Sequence, residues 1–485
     1  MTRSIRTTLA AALALAITAC VGTPKDGPRE AQIQPAAVGL TGPAYVAPAE
    51  DWWLALGDPQ LDRLVGQSLA GNPSLAASLA RVRGAWEQAV VAGAGDGVRV
   101  DFDLSVYRQK VSGNYIYPPP YAGSTFWDGR VGFSLIWNID FWGRQSAILD
   151  QASSAARAAE FDAMAATLAL SGAVSQTYVD LQRVSDLESL AAQTQRQRER
   201  LLALTRQRVA AGLDSDVELR TAEAGRAQAD VEREQARVGR ELAVHALAAL
   251  SGQGANAYES IGAPRLDLER ALPLPDELPA DLLAHRPDIA AARARVTAAQ
   301  AGREAAHAAF YPNVNLIGFA GFTAVGLDVL PKGDSQTFTL GPAIHLPILD
   351  AGRLKAEYRK SGADLDAAVA SYNETVLRAV RESADQAARV QSLDRQLVEQ
   401  RRVLEAAERA YALAEQRYGA GLTNFLTVLN AETQVLAARR SRVNLLADRT
   451  QARVALLVAL GGSFDPTGPA ALAGAGAPGH KETAK

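Results

Sequence analysis

The sequence predicts an α+β membrane protein built from two internal repeats, each a β-hairpin followed by a long helical hairpin. Three observations predict it. The chain matches itself at a fixed offset, it contains two very long stretches without proline, and apolar and polar residues alternate just ahead of each stretch.

The repeat comes first. Trp142-Gly143-Arg144 aligns with Ala351-Gly352-Arg353, an offset of 209. At that offset Arg208, Gly212 and Leu213 fall on Arg417, Gly421 and Leu422, Ala222-Glu223 on Ala431-Glu432, and Gly252 on Gly461. Upstream the offset becomes 214, with Pro73 meeting Pro287, Val82 meeting Val296, and Val100 meeting Val314. A loop five residues shorter in the second copy, matching the region between Tyr107 and Val131, accounts for the change. Self-similarity over such a length marks a duplicated structural unit.

No proline occurs between Pro120 and Pro264 or between Pro347 and Pro466. A proline inside a helix costs about 3 kcal/mol, so these stretches suit very long helices. Helices are expected at about 144–210 and 215–251, and again at about 353–419 and 424–460. At 1.5 Å per residue the longer member of each pair runs roughly 100 Å. Gly212 and Gly421 sit at the two tips, where a left-handed residue lets the chain reverse.

Strands are expected at about 98–108, 127–140, 313–322 and 336–348. Val98, Val100, Phe102, Leu104 and Val106 alternate with Arg99, Asp101, Asp103, Ser105 and Tyr107. Val131, Phe133, Leu135, Trp137 and Ile139 alternate with mostly small or polar residues, Ile136 being the exception, and Leu340, Ile344, Leu346 and Ile348 continue the pattern. The strand near 314–322 is less regular. Ten residues of alternation match a tilted transmembrane strand. A half-buried strand of a soluble sheet alternates in the same way, although Pro342 and Pro347 count against a central strand there. Tyr115, Tyr117, Tyr121, Phe126 and Trp127 cluster between the first two strands, as in an interfacial girdle or an aromatic-rich turn.

The rest of the chain divides around these elements. Residues 1–19 read as a signal segment, with Arg3 and Arg6 ahead of a short apolar run, Leu9 to Ile17. The run ends at Ile17-Thr18-Ala19-Cys20, which resembles a bacterial lipobox and makes Cys20, the only cysteine, the expected lipidation site. Residues 20–50 read as a tether and 51–252 as the first repeat. A connector is expected at 253–285, the second repeat at 286–462, and a tail at 463–485. With 50 basic and 53 acidic residues the formal charge is −3, which gives no reason to expect a nucleic-acid partner.

Four strands cannot close a barrel, and lipid tolerates no open sheet edge. Several copies must pool their strands, and two, three or four all satisfy that condition.

Particular motifs then carry a family resemblance. Trp52-Trp53-Leu54, Gly57-Asp58-Pro59-Gln60-Leu61-Asp62-Arg63-Leu64 and Asn72-Pro73-Ser74-Leu75 resemble an N-terminal signature. Arg286-Pro287-Asp288-Ile289, Phe310-Tyr311-Pro312-Asn313, Asp140-Phe141-Trp142-Gly143-Arg144 and Tyr418 to Glu432 follow in order. Together, over about residues 45–462, the chain resembles the TolC-like outer-membrane factors, in the lipoprotein branch that serves resistance-nodulation-division (RND) pumps. The resemblance implies a homotrimer with a 12-stranded outer-membrane barrel continued by a periplasmic helical barrel. It implies a periplasmic adaptor, an inner-membrane RND pump and outer-membrane lipid as partners.

The resemblance also implies a gate at the helical tips, near rings of Leu and Asp. By motif, Leu426 takes the leucine position and Asn430 the aspartate position, a departure that removes an anionic ring there. Asp214, Asp216 and Glu218 on the other tip are the alternative acidic source. An acidic helix start favoured by the helix dipole accounts for these three equally well.

No catalytic constellation is visible. Five histidines at 245, 285, 307, 345 and 480 lack metal-ligand spacing, and no P-loop, cofactor motif or metal cluster is found. The expectation is a passive exit duct for small molecules, not an enzyme. The duct of an ATP-driven protein secretion system is the alternative in the same class, and a periplasmic coiled-coil scaffold is the alternative outside it.

Overall fold

The structure is a computed structural model that describes residues 27, 29–39, 51–116, 118–270 and 284–464. The expected signal segment and Cys20 lie outside the described residues. So do most of the expected tether, residues 271–283 of the connector, and the tail from 465.

The secondary structure repeats itself. After α1 (Pro59–Gly71), the first copy runs α2 (Pro73–Gly93), β1 (Val98–Lys110), β2 (Thr125–Ile139), α3 (Arg144–Ala210) and α4 (Asp216–Leu250). The second runs α5 (Pro287–Ala308), β3 (Asn313–Val325), β4 (Gln336–His345), α6 (Arg353–Gly419) and α7 (Phe425–Ala459). Helices α3 and α6 have 67 residues each, and α4 and α7 have 35 each. The duplicated hairpin-on-hairpin fold class therefore holds. No helix among the described residues is long and apolar enough to cross a membrane.

The chain divides into two compact units. One comprises the described residues up to Gln32 with Val82–Ala158 and Ala292–Tyr372. Its centre is a single antiparallel sheet in the order β1-β2-β3-β4, so the two hairpins join through β2 and β3. The registers are unbroken, pairing Phe102 with Phe133, Phe133 with Ala320, and Ala320 with Phe338. Unbroken pairing keeps the two faces chemically distinct, because side chains alternate with a period of two.

The strand-to-helix junctions need backbone that few residues adopt. Gly143 and Gly352 have φ of 70° and 86°, and Ala351 is left-handed at 54°. An aspartate caps each following helix: Asp140 Oδ2 accepts the Ser146 N–H at 2.9 Å, and Asp350 Oδ2 accepts that of Leu354 at 2.8 Å. These caps satisfy donors that have no partner inside the helix.

The other unit comprises Ile33–Arg81, Ala159–Ala291 and Asn373 onward. Its main core gathers Trp52, Leu56, Leu61, Leu64 and Val65 against Val174, Tyr178, Leu181, Leu247, Val454 and Leu457. Asp58 organises this region. Its Oδ1 caps α1 through the Gln60 N–H, and its Oδ2 accepts the Tyr178 hydroxyl and the Arg265 N–H, both at 2.7 Å. That explains a polar Gly-Asp-Pro-Gln segment inside an apolar neighbourhood, since a buried carboxylate must find donors.

The repeat extends to the packing of helix ends. Gly252 and Gly461 are both left-handed, and a Cβ on either would strike backbone, at Gly71 O and His285 O respectively. Asn72 donates to Leu250 O at 2.8 Å, and Arg286 donates to Ala459 O at 2.6 Å. Each return helix thus ends under the start of the short helix of its own copy, with its last carbonyls capped by a side chain.

Candidate functional site

Both helical hairpins turn in the same way. Gly212 and Gly421 have φ of 72° and 73°, in open space, so backbone conformation alone requires glycine. Leu213 N donates to Arg208 O at 2.9 Å and Leu422 N to Arg417 O at 2.8 Å, each closing a helix end with a six-to-one bond. Helix α4 then starts on a capping box between Ser215 and Glu218, and α7 on Asn424, whose Oδ1 accepts the Thr427 N–H at 3.1 Å.

Beneath the turns lies a small core of Leu201, Leu202, Ala222, Ala414, Tyr418, Phe425 and Val428. A half-buried polar cluster sits beside it. Arg208 Nε donates to Asp214 Oδ2 at 2.8 Å and its Nη2 to Oδ1 at 3.2 Å, a bidentate pair. The Arg208 guanidinium lies 4.4 Å from the centre of the Tyr418 ring, and its Nη1 donates to Tyr418 O at 3.0 Å. The Tyr418 hydroxyl donates to Asp214 in turn. One arginine therefore joins the end of α3 to the end of α6. Its hydrogen bonds hold the Asp214 carboxyl below the ordinary range. Burial, then the bond to Asp214, pushes the Tyr418 hydroxyl up.

Further along, Glu432 on α7 is fully buried. Arg198 Nη2 on α3 stands 3.3 Å from its Oε2, and Gln197 donates to its Oε1 at 3.4 Å. Burial pushes this carboxyl up, with Arg198 opposing.

The expected gate residues divide between surface and interior. Leu426 is 59% exposed, and Asn430, one helical turn on, is exposed beside it. Leu213, Val217 and Leu422 are also exposed apolar residues of the tips. Asp216 lies exposed in the first turn of α4, and Glu218 is engaged in the capping box. Asp214 is not a free surface charge: it is held by Arg208 and Tyr418. The sequence reading passed over Arg208, Tyr418, Arg198 and Glu432 as site residues. The repeat matches Arg208 with Arg417 and Glu223 with Glu432, but it points to neither Tyr418 nor Arg198 as a partner.

The sheet supplies the second part of the site. Val98, Val100, Phe102, Leu104 and Val106 share a face with Val131, Phe133, Leu135, Trp137, Ile139, Leu316, Leu340 and Ile344. Phe102, Phe133, Leu340 and Ile344 are each largely exposed, and the Phe102 and Phe133 rings meet edge to face at 5.5 Å. The other face carries Arg99, Asp101, Asp103, Arg130 and Ser134, with the Ser134 hydroxyl donating to Asp103. Phe319 also lies on that polar face. The Arg130 guanidinium stands 3.8 Å from its ring centre, and the ring covers Gly132. Among the described residues no group of His, Cys, Asp and Glu could hold a metal ion.

A sheet with one large exposed apolar face, in a chain that also forms two long helical hairpins, fits the class of outer-membrane channels. The family model described as outer membrane efflux protein matches residues 64–253 and 278–462, and the chain belongs to that family. The chain is 31% identical over 474 residues to the multidrug resistance outer membrane protein MdtP of Shigella flexneri, covering 92% of this chain and 94% of that one. It is 32% identical over 423 residues to the pyoverdine export outer membrane protein OpmQ of Pseudomonas aeruginosa, covering 85% and 87%. Among solved structures, the outer membrane protein VceC of Vibrio cholerae superposes with a TM-score of 0.81 at 33% identity, covering 86% of this chain and all of that one. The protein is an outer-membrane efflux channel, the exit duct of a multi-component efflux system.

Proposed function

We propose that three copies pool their sheets into one 12-stranded barrel and that the duct is passive, opened by its partners rather than by chemistry of its own. The observation that carries this reading is the four-stranded sheet: its apolar face is exposed, and among the described residues no further strand pairs with its edge strands β1 and β4. In lipid such edges must pair, and copies of the same sheet supply the pairing. The cargo is a class of small molecules, in keeping with relatives named for multidrug resistance and pyoverdine export. The partners are a periplasmic adaptor and an inner-membrane RND pump. The anchor is lipid on Cys20.

In this reading the tips at Gly212 and Gly421 meet near the duct axis and close it at rest. Exposed Leu426 forms an apolar constriction, because a ring of leucines dewets a narrow pore. Asn430 adds a polar, uncharged ring, and Asp216 and Glu218 are the nearest surface carboxylates of the other tip. Asp214 serves through Arg208, by holding the two hairpins together. Leu426→Ser is expected to raise resting conductance in a planar bilayer while leaving trimer stability unchanged. Asn430→Asp is expected to increase cation selectivity, since a ring of fixed negative charge concentrates cations. Unchanged conductance with weakened trimers would mean that Leu426 only packs between helices and that the constriction lies elsewhere.

A further inference from the structure

The apolar face of the sheet ends differently at its two ends. At the helix end it closes on Val98, Trp137, Ile139, Val314, Leu316 and Ile344, with no charged residue among them. At the hairpin end the same pleat of β1 continues past Val106 into Arg108 and Lys110, which pair with Trp127 and Thr125 of β2. The period of two puts both cations on the face that Val98 to Val106 occupy. Both are exposed, and among the described residues neither forms an ion pair. The acid of β2 at this level, Asp128, lies on the opposite face, where it accepts a side-chain N–H of Gln109 at 3.2 Å.

Height decides what these cations can touch. Val98 to Val106 rises about 21 Å along a membrane normal, at about 3.4 Å per residue and a tilt of about 40°. Arg108 adds about 5 Å, which brings it to the upper edge of an apolar band about 25 Å tall. The helices α2 and α3 join β1 and β2 at the other end, so the hairpin end faces the outer leaflet. A lipid-facing cation is costly at the midplane and nearly free at the interface, where headgroups can reach it.

The surroundings fit one kind of headgroup. The Arg108 guanidinium carbon lies 5.6 Å from the centre of the Trp127 ring. Stacking on a ring leaves the N–H edge of a guanidinium free, and that edge matches two oxygens of a phosphate. Leu327 and Leu330, between β3 and β4, reach over Gly129, the partner of Val106, and stand within 3.3 and 3.0 Å of where its Cβ would lie. They raise an apolar ledge beside the cations. Charge selects further. A phosphate monoester carries about −1.5 to −2 at pH 7 and matches two cations, whereas the single charge of a phosphatidylethanolamine diester is cancelled by its own ammonium.

We propose that Arg108, Lys110 and Trp127 form a site for a phosphate monoester of an outer-leaflet glycolipid, the lipid A of lipopolysaccharide, with its acyl chains against Val106, Leu327 and Leu330. The inference rests on the reading of the sheet as part of a shared barrel with its apolar face toward lipid. It gives the hairpin end of the barrel a preference for one leaflet of an asymmetric membrane.

The test uses the full-length oligomer purified in detergent. It is titrated with bisphosphoryl lipid A, with dephosphorylated lipid A and with phosphatidylethanolamine, and bound lipid is counted by native mass spectrometry. Wild type should bind the bisphosphoryl form about tenfold more tightly than the dephosphorylated form, or better. Arg108→Gln with Lys110→Gln should lose that preference and bind phosphatidylethanolamine as wild type does. Lys110→Gln alone, at the last pair of the ladder, should weaken the preference in part and serves where the double variant does not assemble. Arg99→Gln, on the polar face, should change nothing. Equal binding of the two lipid A forms by wild type overturns the site, and so does a preference that survives loss of the cations. The yield of heat-modifiable oligomer separates the two readings. A wild-type chain that forms no such oligomer defeats the shared barrel and the site with it, whereas an intact oligomer indifferent to phosphate defeats the site alone.

Discussion

At the scale of single residues, the tip region holds a half-buried carboxylate, Asp214, and a buried one, Glu432, in opposite electrostatic situations. Asp214 accepts a bidentate pair from Arg208 and a bond from Tyr418, and its acidity is strengthened. A carboxyl with a lowered folded pKa contributes stability above its ordinary value, 3.8, and loses it as the pH falls through the folded value. The Arg208 clasp should thus be insensitive to pH from neutrality to about pH 4 and weaken only below that. Asp214→Ala removes a half-buried bidentate pair and should cost about 1–2 kcal/mol, measured by denaturant unfolding. Asp214→Asn, which keeps an acceptor for Tyr418, should cost less. Glu432 is the reverse case. Its folded pKa is raised chiefly by burial, so its ionised form is the costly one. Stability should rise as the pH drops from the raised value toward the ordinary 4.5, where the folded chain binds more protons than the unfolded chain. Glu432→Gln should be neutral or stabilising by up to about 2 kcal/mol at pH 7 and should abolish that pH dependence. Destabilisation at pH 7 would show that the Arg198 pairing outweighs the cost of burial. Neither cluster was legible in the sequence. Arg208 and Tyr418 lie 210 positions apart, and a buried ion pair has the same composition as a solvated charged face.

At the scale of elements, legibility follows from how each element is surrounded. Strand β1 could be read because its apolar face is left exposed by the described residues, and Val98 to Val106 alternate strictly. Strand β3 was harder because its polar-side positions include Ile317 and Phe319. The structure gives the reason for Phe319: it fills the space over Gly132, whose partner Gly321 allows the backbones to approach, and it carries Arg130 on its ring. Packing of this kind overrides the binary pattern on one strand and leaves no mark on its neighbours. The tip turns were legible at single glycines because the left-handed residue is a backbone demand, independent of tertiary partners. The two faces can be told apart by experiment. Arg in place of Phe102, on the apolar face near the middle of β1, should cost about 2–4 kcal/mol in a bilayer. Arg in place of Ser134, paired with Asp101 on the polar face, should be tolerated and gains carboxylate neighbours there. Yield of heat-modifiable oligomer in outer-membrane fractions measures both. Equal yields would mean that the lipid-facing side has been misassigned.

At the scale of the whole molecule, the duplication and the assembly answer one geometrical problem. A strand hairpin cannot bury its edges, and a long helical hairpin cannot bury its faces, so doubling the unit within one chain is only a first step. The doubled chain still presents β1 at one edge of its sheet and β4 at the other. Those edges differ in sequence, so in the proposed barrel the contact between copies would be heterologous, β4 of one against β1 of the next, and would have to close into a ring. The number of copies then fixes the bore. Two copies give eight strands, a barrel that side chains fill, which leaves no duct. Three give twelve strands and four give sixteen, and both are wide enough to conduct. Three is the number implied by the resemblance to TolC-like factors. The expected outcome is a single heat-sensitive species whose mass, by native mass spectrometry from detergent, corresponds to three chains. A species of two chains would contradict the duct, because an eight-stranded interior is closed. A species of four would keep the duct but widen it, and would require a smaller angle between neighbouring sheets than a 12-stranded ring allows.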